Sequence, residues 1–265
     1  GVIALDAAGL ADIHTVARST VAQIDFNFVL MQGMLSLLLF AGAMHINLSE
    51  LAAFKWPIGI LASVGVVAST FLIGSVSYLA LPVVGVELPF IYCLVFGALI
   101  SPTDPIAVLG ILKSANAPKS LEVKIAGESL FNDGVAVVIF LIIAGIAAGT
   151  AEVSAASITK LLAAEALGGA ALGLALGWFT FALLKSVDNY QVEVLLTLAL
   201  VLGGYALAGK LHVSGPIAMV VAGLVIGNHG RAKAMNEVTR HHVDMFWTML
   251  DELLNALLFV IIGLE

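Results

Sequence analysis

The sequence predicts an all-α protein that crosses a membrane several times. Of its 265 residues, 61% are hydrophobic and only 11% are charged, whereas soluble domains carry about a quarter charged residues. Apolar stretches long enough for a helical crossing, about 20 residues, recur along the whole chain. The 26 glycines agree with this fold class, because small residues let membrane helices pack closely.

We expect one transmembrane domain, residues 1–265, with about eight crossings. The predicted spans are the apolar stretches 27–45, 57–82, 89–112, 125–149, 161–184, 192–210, 212–227 and 249–264. The seventh span is short and contains Pro216. Trp56 and Trp247 flank spans, where interfacial aromatic residues are common. We also expect the sequence to be truncated at both ends, since it opens without an initiator methionine and stops as an apolar helix finishes.

The distribution of lysine and arginine predicts the orientation of the chain. The connections after the first, third, fifth and seventh spans hold eight of these residues, and the other connections hold three. Cytoplasmic loops of membrane proteins are enriched in lysine and arginine. We therefore place the loops 113–124 and 228–247 in the cytoplasm. No long basic run is present, so nothing suggests a nucleic-acid partner.

The third span is interrupted by the sequence SPTDP at residues 101–105. Pro102 and Pro105 lack an N–H and disfavour helical geometry in the residue before them, so the segment should be extended. Unwound backbone at membrane depth is tolerated only inside protein or beside a water-filled cavity. Its carbonyls, the Thr103 hydroxyl and the Asp104 carboxylate are oxygen ligands suited to a small cation. The alternative is a packing kink with a snorkelling aspartate.

The fourth span contains a second polar cluster, GESLFNDGVAVV at residues 127–138. Glu128 and Asn132 are four residues apart, as are Ser129 and Asp133, so the two pairs lie on adjoining strips of one helix face. Carboxyl groups in lipid are costly and point to function. For Glu128 and Asn132, bracing the unwound segment and taking part in transport are both open. At Asp133 a proton and a bare cation can compete for the same oxygens, which is enough for exchange when the site faces each side in turn.

The later spans carry fewer functional signals. Gly168, Gly169, Gly173 and Gly177 give small-residue spacing in the fifth span, which predicts tight packing on a neighbouring helix or a second subunit. The histidines at 229, 241 and 242 are expected on a solvated helix, because adjacent histidines on a helix point apart and rarely chelate together.

The two polar motifs together resemble a known family. SPTDPIAVLGIL (101–112) followed by GESLFNDGVAVV (127–138) resembles the monovalent cation/proton antiporters of the NhaP and eukaryotic sodium/proton exchanger group. The similarity extends through 37–51, 188–208 and 213–228. The resemblance implies an NhaA-like sodium/proton-antiporter fold with inverted repeats and broken helices, in which 89–149 supplies core-type helices. It also implies a homodimer and a multi-pass protein of the bacterial inner membrane.

The resemblance also implies the site. Sodium and the proton would bind at four residues: Asp133, Asp104, Ser129 and Thr103. Asn132 and Glu128 would be supporting polar residues, and Pro102 and Pro105 would break the helix. Asparagine at position 132 matches the members that are usually electroneutral. The resemblance implies no cofactor besides the transported Na⁺ and H⁺, and the arginine that pairs with the acid at position 128 in the family has no counterpart in this sequence.

Two other functions are compatible with parts of the sequence. A passive cation channel would conduct without proton coupling, and the sequence alone leaves it open. An intramembrane aspartyl protease, the enzyme alternative, carries a Gly-x-Gly-Asp pattern, whereas this chain has Phe131-Asn132-Asp133-Gly134. The chain has no nucleotide-binding loop to suggest primary active transport. The leading hypothesis is therefore a secondary transporter and not an enzyme.

Overall fold

The structure is a computed structural model that describes residues 33–103, 108, 115, 118–149 and 155–264. These residues form helices and their connections and contain no strand. The helices follow each other as α1 (Leu35–Met44), α2 (Leu48–Ala53), α3 (Lys55–Ile60), α4 (Val66–Ala80), α5 (Phe90–Ile100), α6 (Lys119–Ala147), α7 (Ala155–Leu184), α8 (Tyr190–Leu211), α9 (Gly215–Val225), α10 (Arg231–Lys233) and α11 (Glu237–Leu264).

Several of these helices suit a membrane. Four helical stretches are long and apolar enough to cross it: Lys55–Val84, Ser120–Ala147, Ala163–Leu184 and Tyr190–Leu211. Two shorter helices, α1 and α5, are also apolar. The first stretch joins α3 to α4 through a π-helical turn at Leu61–Gly65 and ends in a 3-10 turn at Leu81–Val84. The prediction of an all-α membrane protein is confirmed, and a helix overlaps each of the eight predicted spans.

The helix that contains the last predicted span begins before that span. The span was predicted at 249–264, and α11 begins at Glu237, within the loop 228–247. The Asn236 side chain explains this start, since its Oδ1 accepts a hydrogen bond from the Thr239 N–H at 2.8 Å and so caps the first turn. The polar residues that follow form the first turns of this helix, in agreement with the solvated helix expected at His241 and His242.

The prediction that Trp247 is an interfacial residue is wrong. Its side chain is fully buried, with its ring 4.7 Å from that of Phe40 in α1. Its Nε1–H donates to the Thr197 hydroxyl of α8 at 3.0 Å. Because α11 extends well before residue 249, Trp247 lies inside the helix bundle. Trp56, in contrast, is 72% exposed, as expected for a residue at the interface or facing lipid.

The glycines of α7 pack against α9 of the same chain. A Cβ on Gly169 would meet the main chain of Ser214, one on Gly173 would meet the carbonyl of Ala218, and one on Gly177 would meet Val225. The prediction of tight packing is thus confirmed, and the partner is a neighbouring helix. This close approach places α9 in the interior, between α7, α8 and α1.

The pair α4 and α5 leads the chain into the predicted break. Gly97 of α5 lies against the carbonyl of Thr70 in α4, and Gly74 lies against Cys93 and Leu94. Cys93 is buried and is a free thiol. Helix α5 then packs against α6, so the residues after Ile100 emerge beside the helix that carries the second polar motif.

Candidate functional site

The first helix break lies where the sequence predicts it. Helix α5 ends at Ile100, and Ser101, Pro102 and Thr103 are not helical. The cause is local, because Pro102 has no N–H to continue the helix. Ser101 before it was expected to be extended but keeps helical dihedral angles, with φ -72° and ψ -34°. The other two residues of the predicted break, Asp104 and Pro105, lie outside the described residues.

Thr103 contacts the polar motif of α6 directly. Its hydroxyl oxygen accepts a hydrogen bond from Asn132 Nδ2 at 2.8 Å. The same hydroxyl lies 3.3 Å from Glu128 Oε2, to which it donates, and 3.4 Å from Ser129 Oγ. The structure thus brings Thr103, Glu128, Ser129 and Asn132 together, although more than twenty residues separate Thr103 from the others.

Asn132 is the centre of this contact. Its side chain is fully buried, and its Nδ2 also donates to Glu128 Oε1 at 2.8 Å. Because a carboxylate oxygen only accepts hydrogen bonds, the amide nitrogen must face Glu128. The amide group therefore links a carboxylate on its own helix to the hydroxyl beyond the break. Its Oδ1 is buried and makes no hydrogen bond within the described part of the chain.

Asp133 follows Asn132 in α6 and is partly buried. It lies one helical turn beyond Ser129, whose side chain is only 3% exposed. At the next residue, a Cβ on Gly134 would come 3.2 Å from the side chain of Ile217, so α6 packs against α9 at this level. Ser129 and Asn132 are thus buried and Asp133 is partly buried, at the level where α6 contacts α9.

Hydroxyl, amide and carboxylate groups dominate the candidate site. Among the described residues, no group of three or more histidine, cysteine, aspartate or glutamate side chains could hold a metal ion. His229, His241 and His242 therefore do not form such a group either. The rings of His241 and His242 lie edge to face with their centroids 6.0 Å apart, and that of His242 stacks on Tyr190.

Two buried polar features escaped the reasoning from sequence. Thr70 and Ser101 form a buried hydroxyl pair beside the break, with 3.2 Å between their oxygens. Glu193 near the start of α8 is only 1% exposed. The available signal was a single polar residue within a predicted span, which does not identify a partner in another helix.

The chain is similar to known proteins over most of its length. The profile of one family, described as "Sodium/hydrogen exchanger, transmembrane", matches residues 9–265. The chain is 56% identical over 257 residues to the Na(+)/H(+) antiporter NhaP of Pseudomonas aeruginosa. This alignment covers 97% of the chain and 61% of that protein. The chain is also 38% identical over 208 residues to the Na(+)/H(+) antiporter NhaH of Halobacillus dabanensis. That alignment covers 77% of the chain and 50% of the relative. The chain thus spans between half and two thirds of the length of these curated relatives.

A solved structure shares the fold. It is that of the sodium proton antiporter MjNhaP1 from Methanocaldococcus jannaschii, with a TM-score of 0.67 and 19% sequence identity. The match covers 99% of this chain and 69% of the other. This likeness confirms the fold that the two polar motifs imply.

Proposed function

Since this chain belongs to the sodium/hydrogen exchanger family of transmembrane proteins, we propose that it exchanges Na⁺, or a similar monovalent cation, for protons across a membrane. The observation that carries the proposal is the contact across the helix break. Asn132 holds the Thr103 hydroxyl beside Glu128 and Ser129, one turn from Asp133. This contact joins both polar motifs in one cluster of oxygen-bearing side chains within apolar helices.

Asp133 is the group at which the two ions compete in this proposal. A carboxyl group holds either a proton or, when ionised, a cation, so each ion displaces the other. Ser129 and Thr103 supply neutral oxygens that replace part of the hydration shell of the cation. We assign Asp104 to the same set from its place in the motif. Alternation of the site between the two faces of the membrane then couples the two ion flows.

Asn132 and Glu128 have a bracing role in this proposal. The two hydrogen bonds from the Asn132 amide, both 2.8 Å long, run to the neighbouring groups and leave its nitrogen engaged with protein. A neutral amide next to Asp133 adds no charge to the site. One proton exchanged for one Na⁺ then moves no net charge, so we propose electroneutral exchange.

Placement and assembly are further parts of the proposal. The lysine and arginine distribution supports cytoplasmic loops at 113–124 and 228–247, and the relative from P. aeruginosa supports a bacterial inner membrane. The homodimer follows from the family resemblance, and cross-linking of the full-length protein in membranes tests it. No observation in the described residues favours a passive channel, which would conduct Na⁺ without moving protons.

The experiment uses full-length protein in vesicles with an imposed proton gradient and a pH-sensitive dye. Addition of Na⁺, K⁺ or Li⁺ should restore dye fluorescence for the ions that exchange. Asp133→Asn should abolish this response while the protein keeps its elution profile and thermal stability. Ordinary exchange by a folded Asp133→Asn protein would refute the assignment of the site. Cation flux without proton movement in the wild-type protein would favour the channel.

A further inference from the structure

Thr70 and Ser101 form a buried contact between α4 and α5. Thr70 is fully buried and Ser101 is 6% exposed, although both lie in apolar surroundings. Their hydroxyl oxygens are 3.2 Å apart. At the same level, Gly97 lies so close to the carbonyl of Thr70 that a Cβ would not fit. The two helices therefore touch backbone to backbone, and the hydroxyl pair is held within this contact.

The direction of the hydrogen bonds follows from proton counting. Ser101 Oγ donates to the carbonyl of Gly97 at 2.6 Å. A serine hydroxyl has one proton, so towards Thr70 it can act only as an acceptor. Thr70 is therefore the donor, and the chain of bonds runs from Thr70 to Ser101 to Gly97. An unpaired hydroxyl in an apolar interior is costly, which favours this single arrangement.

Ser101 directly follows α5, which ends at Ile100. It is the C-cap of the helix, and Pro102 after it has no N–H to donate. Two residues further, the Thr103 hydroxyl accepts the bond from Asn132 at 2.8 Å. Within the described residues, the non-helical segment is thus held at Ser101 by α4 and at Thr103 by α6. These two attachments define where the Thr103 oxygen lies.

We propose that Thr70 is a positioning residue for the cation site. Its hydroxyl fixes Ser101 and, through Ser101, the place of the Thr103 oxygen; Thr70 itself does not touch the cation. The inference rests on the proposed function, because the position of Thr103 affects transport only when the break holds a cation. It extends that function to α4, which carries neither of the two motifs.

The test measures the Na⁺ concentration that gives half-maximal exchange by full-length protein in vesicles. Thr70→Val keeps the size and branching of the side chain but removes the donor. We expect it to raise the half-maximal concentration about threefold, the effect of one typical hydrogen bond in a membrane protein. Thr70→Ser retains a hydroxyl and should restore the wild-type value. Thr180→Val serves as a matched control, because Thr180 is a buried threonine of α7 and should leave the half-maximal concentration unchanged.

A second variant tests the same bond from its other side. Ser101→Ala removes the acceptor and should raise the half-maximal Na⁺ concentration, and adding Thr70→Val to it should cause little further change. A purely structural role would lower the amount of folded protein in all these variants without changing the half-maximal concentration.

The outcomes distinguish failure of the proposed function from failure of the positioning role. Wild-type protein that moves no protons on addition of Na⁺ overturns the proposed function and this inference together. Normal wild-type exchange with unchanged half-maximal concentrations in Thr70→Val and Ser101→Ala overturns the inference alone. The inference also fails if Thr70→Ser is as impaired as Thr70→Val, since a retained hydroxyl would then not be enough to position Thr103.

Discussion

Replacing Asn132 by leucine should weaken Na⁺ binding by releasing the helix break from α6. Leucine is similar to asparagine in size but cannot donate the two hydrogen bonds to Thr103 Oγ1 and Glu128 Oε1, both 2.8 Å long. The side chain is fully buried, so water cannot easily replace the lost amide. The Thr103 hydroxyl is then free to move away from Ser129.

The size of the effect follows from these two bonds. Hydrogen bonds between membrane helices contribute about 0.6 kcal/mol each on average, which gives about 1 kcal/mol for the pair. The bond to Glu128 has a charged acceptor when the carboxyl is ionised, and such bonds contribute about 1.5–3 kcal/mol. The two bonds together thus contribute about 1–3.5 kcal/mol. A loss of this size corresponds to a roughly five- to four-hundredfold rise in the half-maximal Na⁺ concentration, if it falls on the cation-bound form.

The assay is Na⁺-driven proton movement in vesicles, measured over a range of Na⁺ concentrations. Val138→Ala is the matched control, because Val138 is a buried residue of the same helix with 4% exposure and no polar group. It should lower thermal stability without shifting the Na⁺ dependence. An Asn132→Leu protein with the wild-type half-maximal Na⁺ concentration would refute the bracing role of the amide.

Three further outcomes are expected. Gly173→Ala should lower the unfolding temperature in detergent, because the added Cβ meets the Ala218 carbonyl. Gly203→Ala is the control and should not lower it, since no atom of a neighbouring group lies within 4 Å of a Cβ at that position. Equal stability of the two variants would contradict the packing of α7 on α9. Trp247→Phe removes the hydrogen bond to Thr197, so it should lower the free energy of unfolding by about 1 kcal/mol and with it the unfolding temperature. The same change at the exposed Trp56 should have little effect. Exchange by the wild-type protein should not vary with an imposed membrane potential, and voltage-dependent turnover would show that the exchange is electrogenic.

The helices could be predicted from sequence because lipid imposes a strong constraint on the backbone. A polypeptide in hydrocarbon must satisfy its own hydrogen bonds, so long apolar stretches become helices whatever their neighbours. The break after Ile100 was also predictable, because Pro102 has no N–H and cannot continue the hydrogen-bond pattern of the helix. The spacing of Glu128 and Asn132 likewise predicted that the two side chains lie on one helix face, and they are hydrogen-bonded.

The arrangement between helices could not be predicted in the same way. Whether Trp247 faces lipid or the bundle depends on which helices surround it, and a flanking position in the sequence does not decide this. The Thr70–Ser101 pair is similar, because a lone hydroxyl in an apolar helix has no periodic pattern that indicates its partner. The sequence left open whether Asn132 and Glu128 brace the unwound segment, and the structure adds that the Asn132 amide donates to the Thr103 hydroxyl.

Competition between Na⁺ and H⁺ at Asp133 is tested most directly by the half-maximal Na⁺ concentration for wild-type exchange at a series of pH values. Competition predicts that this concentration rises steadily as the pH falls while the maximal rate at saturating Na⁺ stays constant. A half-maximal concentration that is the same at every pH, with only the maximal rate changing, would contradict a shared site.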